Sequence, residues 1–169
     1  PGEFLESTEV SLMLNILRVI DNPKQDIPLL SVLMSAVFGF SVDEVSDIRL
    51  KGKGSGLYSR LVSLCDKGYE KIDSFLSVIQ QYRTLSVCLS VSELIDEIYL
   101  QTGLMSVFDA VDPTGTKRSN LMLLSDYGSV YESMGYGSLS GFIRFMDNLS
   151  DKKKDISGTP GVSAQTDVV

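Results

Sequence analysis

The chain has 169 residues with 22 acidic against 15 basic side chains, a formal net charge of −7. Its length holds one ordinary domain or two small lobes, and 43% hydrophobic with 22% charged residues describes a folded globule rather than a disordered segment. The acidic balance argues against tight, autonomous, nonspecific nucleic-acid binding, which draws on counterion release by Lys and Arg. It leaves room for a local basic patch.

Residues 8–20 read as a helix, with Thr8 placed to cap it and Val10, Met13, Leu14 and Leu17 on one face. Asp21-Asn22-Pro23 stops it, because proline lacks an N–H and restricts the residue before it. A second helix is predicted from Ile27-Pro28 to Gly39. Leu29, Leu30, Val32, Leu33, Val37 and Phe38 make it apolar nearly all round, so it is expected to form the buried centre of its lobe. Ser41 and Glu44 make a capping box ahead of a short helix over 42–50. Lys51-Gly-Lys-Gly-Ser-Gly56 is a flexible loop, and a further short helix covers 57–65.

Tyr69, Ile72, Leu76 and Ile79 recur at helical spacing and predict a long helix over 69–87. Ser90 and Glu93 form a second capping box, opening a helix that Gly103 ends. Residues 104–111 add a turn or two, and Asp112-Pro-Thr-Gly115 is a turn. A helix follows over 117–131. Gly135-Tyr-Gly137 breaks the chain, and a last helix over 138–149 carries Leu139, Phe142, Phe145 and Met146. From Ser150 the character changes: Asp151-Lys-Lys-Lys-Asp155 is a charge cluster, the segment from Ser157 to Gly161 has loop chemistry, and weak strand character appears only at Val168-Val169. No long alternating strand occurs, so the expected class is all-α. The expected organisation is an N-terminal helical lobe over 1–50, the flexible Gly-rich loop over 51–56, a C-terminal helical lobe over 57–149 and a linker over 150–169.

The search for chemistry gives no catalytic, cofactor-binding or metal-ligating set. With no histidine in the chain, His-based metal sites and His general bases are impossible. Two cysteines, Cys65 and Cys88, make neither a disulfide framework nor a paired zinc motif. Both lie in apolar helical contexts and are expected to pack as small hydrophobes. The glycine loop lacks the spacing of a phosphate-binding loop and a strand before it. Lys51 and Lys53 beside its amides are candidate phosphate-backbone contacts; a solvated mobile loop is the other reading. Asp43, Glu44 and Asp47, like Glu93, Asp96 and Glu97, open helices, where capping and the helix dipole account for them. Glu93 and Glu97 alone make a thin cation site. No apolar run approaches the roughly 20 residues of a membrane span. No basic-then-apolar start marks a signal peptide, so a cytoplasmic location is expected. A start at Pro1 and an end at Val169 suit a piece of a longer chain.

The run Asn22-Pro-Lys-Gln-Asp-Ile-Pro-Leu29 is the most distinctive local feature. Asn22 can bond frayed backbone at the end of one helix, and Asp26 stands where it can accept from the first turn of the next. Structure alone explains each residue, as a device that sets the angle between two helices.

The run from Leu14 to Arg49 resembles the accessory helical subdomain inserted in the second motor domain of UvrD-type superfamily 1 helicases. It is closest to the AddA (RexA) component of the bacterial ATP-dependent helicase–nuclease that processes double-strand breaks. The family's Asn-Pro-x-x-Asp-x-x-Leu pattern falls on Asn22, Pro23, Asp26 and Leu29. Val32-Leu-Met-Ser35, Val37-Phe-Gly-Phe40 and Ile48-Arg49 match in order. Leu94-Ile95, Tyr99, Thr102-Gly-Leu104, Asn120-Leu121 and Phe142-Ile-Arg-Phe145 match more weakly further on. The chain departs from the family at Met34 and Ala36, where Arg and Pro are common. Loss of the Arg removes a DNA or interdomain contact, and loss of the Pro leaves the second helix free to run on.

The resemblance implies an irregular multi-helix insert with a noncatalytic, accessory role, which positions duplex DNA or packs against the motor domains of its own chain or a second helicase–nuclease subunit. It also implies that ATP and magnesium serve the parent, whose Walker lysine, magnesium-binding acids and nuclease carboxylates lie outside these residues. The alternative is a helical protein-interaction module with no DNA role.

Overall fold

The computed structural model describes residues 2–157. It is all-α, with ten helices among the described residues: α1 (Gly2–Glu6), α2 (Thr8–Asp21), α3 (Asp26–Leu33), α4 (Val42–Lys51), α5 (Leu57–Leu64), α6 (Glu70–Cys88), α7 (Val91–Thr102), α8 (Leu104–Asp109), α9 (Thr116–Ser133) and α10 (Leu139–Ser157).

Helix α2 is the centre. It buries Glu9, Val10, Met13, Leu14, Ile16, Leu17, Val19 and Ile20 and packs against α1, α3, α6, α9 and α10. The expected centre, α3, is instead a short helix that buries Leu29, Val32 and Leu33 and leaves Ile27 85% exposed. It stops at Leu33, not at Gly39, although Ala36 replaces the family proline. The cause is non-local. Phe40 is buried, edge-on to Phe75 at 6.0 Å. To deliver it the chain leaves the helix and closes a turn, with the Phe40 N–H donating to the Leu33 carbonyl at 2.9 Å and the Gly39 N–H to the Ser35 carbonyl at 2.7 Å. Gly39 takes the left-handed φ of +65° that this reversal requires.

The start of α2 also differs from expectation. Ser7, not Thr8, holds the cap position, and it makes no side-chain capping bond. Its hydroxyl turns back to the Phe4 carbonyl at 2.7 Å and closes α1, a helix the sequence reading missed. That short helix forms because Phe4 and Leu5 are buried, Phe4 stacking on Tyr127 at 5.5 Å. Both capping boxes are present, Ser41 with Glu44 and Ser90 with Glu93. Gly103 ends α7 in the left-handed conformation.

Helix α10 continues to Ser157, through the charge cluster that reads as linker in the sequence. Asp and Lys do not break a helix, and no Gly or Pro occurs between Gly141 and Gly158. The sequence readings at Gly158–Gly161 and Val168-Val169 lie outside the described residues. One hydrophobic core spans both sides of the 51–56 loop, from Phe4 to Met146. No helix among the described residues is long and apolar enough to cross a membrane.

Candidate nucleic-acid interface

The Asn22–Leu29 run forms the corner between α2 and α3. The Asn22 N–H closes α2 on the Arg18 carbonyl at 2.8 Å, and its side-chain Oδ1 accepts the Lys24 N–H at 3.1 Å. Pro23 is buried, and Leu29 has no exposed surface. Asp26 does not cap α3. It is the first residue of that helix, and its Oδ1 accepts the Leu57 N–H at 3.0 Å. It thereby caps α5, whose cap position is Gly56 and offers no side chain. The corner therefore locks α5 against α3, a tie between residues 31 positions apart.

The glycine loop is held at several points. Gly52 is buried, and a Cβ there would sit 2.6 Å from both the Arg60 Cβ and the Ile48 carbonyl oxygen. Only glycine lets α4 and α5 approach this closely. The Lys53 N–H donates to the Ser63 hydroxyl at 2.8 Å. The Arg60 guanidinium donates to the Gly52 carbonyl at 3.2 Å and to that of Arg49. Arg60 so neutralises carbonyls at the C-terminal end of α4.

These bonds gather charge. Between positions 47 and 60 there are four basic residues, Arg49, Lys51, Lys53 and Arg60, against one acid, Asp47. Arg49, Lys51 and Lys53 are exposed, and Arg60 is half-buried. The Lys51 ammonium pairs with Asp47 at 2.7 Å, and that carboxylate, hydrogen-bonded to it, holds its pKa above the ordinary lysine value. An open cleft of about 300 Å³ is lined by Asp26, Arg49, Gly56, Leu57 and Arg60. Nearby, Lys71 fixes the turn before α4. It pairs with Glu44 at 2.8 Å, donates to the Gly39 carbonyl at 2.7 Å and lies 4.7 Å from the Phe40 ring centre. Hydrogen bonds from Lys71 and Ser41 hold the Glu44 carboxyl below its usual range.

The sequence names Lys51 and Lys53 here. Arg49 and Arg60 join them through folding, and the only advance signal was their placement on the two helices flanking the glycine loop. Two other features were missed. Glu9, 1% exposed, accepts hydrogen bonds from Asn120 at 2.7 Å and from Lys117 at 2.9 Å. Burial pushes its pKa up, but the Asn120 and Lys117 bonds outweigh it and bring the value down to about 2. An acid four residues before Met13, on the face that α2 buries, was the signal. Second, Cys65, Asp66 and Asp73 bring ligand atoms within 4.8 Å of one another. Burial, with Asp66 and Asp73 alongside, raises the Cys65 thiol. Cys65 is half-buried and Cys88 exposed, so core packing fails for Cys88, which lies in the last, solvent-facing turn of α6. Glu93 is committed to its capping box, and Glu97 accepts from Gln101.

The AddA-type ATP-dependent helicase/nuclease protein of Acetivibrio thermocellus is 35% identical over 170 residues, covering 98% of this chain and 14% of that protein. The protein of the same description from Lactobacillus helveticus is 36% identical over 157 residues, covering 91% of this chain and 13% of its own length. The chain belongs to the AddA (RexA) family of ATP-dependent helicase/nucleases. The AddA-type protein of Bacillus velezensis agrees, at 35% over 172 residues, 98% of this chain and 14% of that protein. The chain thus spans about one-seventh of the length of the AddA relatives it matches. No family model matches it. Membership in the AddA family bears out the resemblance carried by the Leu14–Arg49 run.

Proposed function

We propose that the chain is a noncatalytic accessory helical insert in the second motor domain of an AddA-type ATP-dependent helicase/nuclease that works in double-strand-break repair. In this reading the α4–α5 surface lies against the phosphate backbone of duplex DNA. The observation that carries it is the gathering of Arg49, Lys51, Lys53 and Arg60 at one junction of a protein whose net charge is −7. ATP and magnesium belong to the parent's motor domains. The overall negative charge keeps the isolated contact weak, so it positions DNA that the motor already holds.

The test is fluorescence anisotropy of a labelled duplex across a range of salt. Binding is expected at low salt and weak at physiological salt. A Lys51→Ala/Lys53→Ala form should bind less well, with a log–log salt slope shallower by about 2, one step of roughly 0.9 per lost phosphate contact. Identical curves for the two forms reject the contact.

A second reading has its own support. Helix α9 exposes Met122, Leu123 and Val130, with Met134 at its end, an apolar band suited to packing on a motor domain or a partner protein of the helicase–nuclease. Absence of duplex binding at low salt would leave that interaction role, without a DNA contact, as the function.

A further inference from the structure

A cavity of about 390 Å³ lies between the end of α9, the Gly135-Tyr136-Gly137 segment and the first half of α10. Three aromatic rings form its wall. Tyr136 stacks on Tyr131 at 5.5 Å with 22° between planes, and Tyr131 lies 5.6 Å from Phe145. Tyr131 is buried and fixed: its hydroxyl donates to the Ser138 carbonyl at 3.3 Å and occupies the place a Cβ on Gly141 would fill. Tyr136, by contrast, is 60% exposed. It is carried on a reversal that Gly135 makes at φ +86°, so an open aromatic face stands on a rigid base. Arg144 and Asn148 line the same cavity, and both are exposed. Arg144 has no hydrogen-bond or ion-pair partner among the described residues.

We propose that the Tyr136–Arg144–Phe145 cavity binds an unpaired nucleotide of a DNA strand, its base stacked on the tyrosine and its phosphate on the guanidinium. A nucleotide carries a flat ring and an anion close together, and the cavity offers a partner for each. An apolar peptide would fill the aromatic half and leave the Arg144 charge unmatched. The base must be unpaired, because duplex stacking covers both of its faces. Asn148 supplies an amide that can donate and accept at a base edge. The ligand class rests on the DNA reading above, but the site shares no residue with the α4–α5 surface, so substitutions test the two separately.

The test is anisotropy of a labelled oligothymidylate and of the same strand with its bases removed. The chain has no Trp but seven Tyr, so the part of the tyrosine quenching that Tyr136→Ala removes reports stacking. The intact strand should bind and quench, and the abasic strand should bind at least about tenfold more weakly. Tyr136→Ala, at an exposed loop position, should lose a similar factor while its circular dichroism spectrum stays native. Arg144→Ala should weaken binding and make the salt slope shallower by roughly 0.7, the single-strand value for one phosphate. Lys51→Ala/Lys53→Ala should leave single-strand binding unchanged. Equal binding of intact and abasic strands, unaltered binding by Tyr136→Ala, or no binding at low salt would overturn the proposal. Loss of duplex binding alone would bear on the α4–α5 surface instead.

Discussion

Replacing Glu9 with glutamine keeps the shape of the side chain and its capacity to accept from Asn120, and removes its charge. The carboxyl has a pKa of about 2 in the folded protein against an ordinary 4.5. A depressed folded-state pKa contributes stability that is present above the unfolded value and lost as pH falls through the folded one. The difference corresponds to about 3 kcal/mol at pH 7, shrinking to about 1 kcal/mol at pH 3. Lys117 also lies over the Phe108 ring, 5.6 Å from its centre, and its side chain is 31% exposed. After the substitution its ammonium can turn to water, so little penalty arises from a stranded charge. Urea unfolding followed by circular dichroism, at pH 7 and at several values down to 3, measures the gap between the two proteins. Subtracting one from the other cancels the remaining carboxyls, among them Glu44, Glu93 and Asp112, all held below their ordinary range by hydrogen bonds. A gap that stays constant with pH, or no gap at pH 7, would refute the assignment of Glu9 as a charged anchor.

Two further substitutions probe the corner beneath the basic surface. Asp26→Ala should destabilise by about 1 kcal/mol, the worth of a helix cap, and should speed hydrogen exchange at the Leu57 amide, which otherwise donates to the Asp26 carboxylate; an unchanged exchange rate there would contradict the cap. Gly52→Ala should cost about 1–3 kcal/mol and lower the melting temperature by several degrees. Its φ of −74° suits any residue, so the whole effect is the collision of the new methyl with Arg60 and the Ile48 carbonyl, and a melting curve like that of the parent would show that α4 and α5 can part freely.

Much of the helix pattern could be read from the chain because its causes are local. Ser41 with Glu44 and Ser90 with Glu93 carry both halves of a capping box within four residues, and Gly103 stops α7 by its own backbone freedom. The readings that failed had distant causes. Helix α3 stops early because Phe40 must reach Phe75, 35 positions on. Glu9, which the sequence reading passed over, is buried by partners 108 and 111 positions away. The charges from Asp151 to Asp155 suit a helix as well as a linker, and composition alone could not choose. At the candidate surface, Lys51 and Lys53 stood out beside a glycine loop, whereas Arg49 and Arg60 had only their place on the flanking helices to mark them until Gly52 let α4 and α5 come together.

The central position of α2 has a consequence for how the protein is made. Its apolar face leaves the ribosome well before α9 and α10, which close it and begin more than 100 residues after α2 begins. At bacterial synthesis rates that interval is on the order of ten seconds. Through that time the hub of the core has α3 and α6 for provisional cover, until α10 emerges.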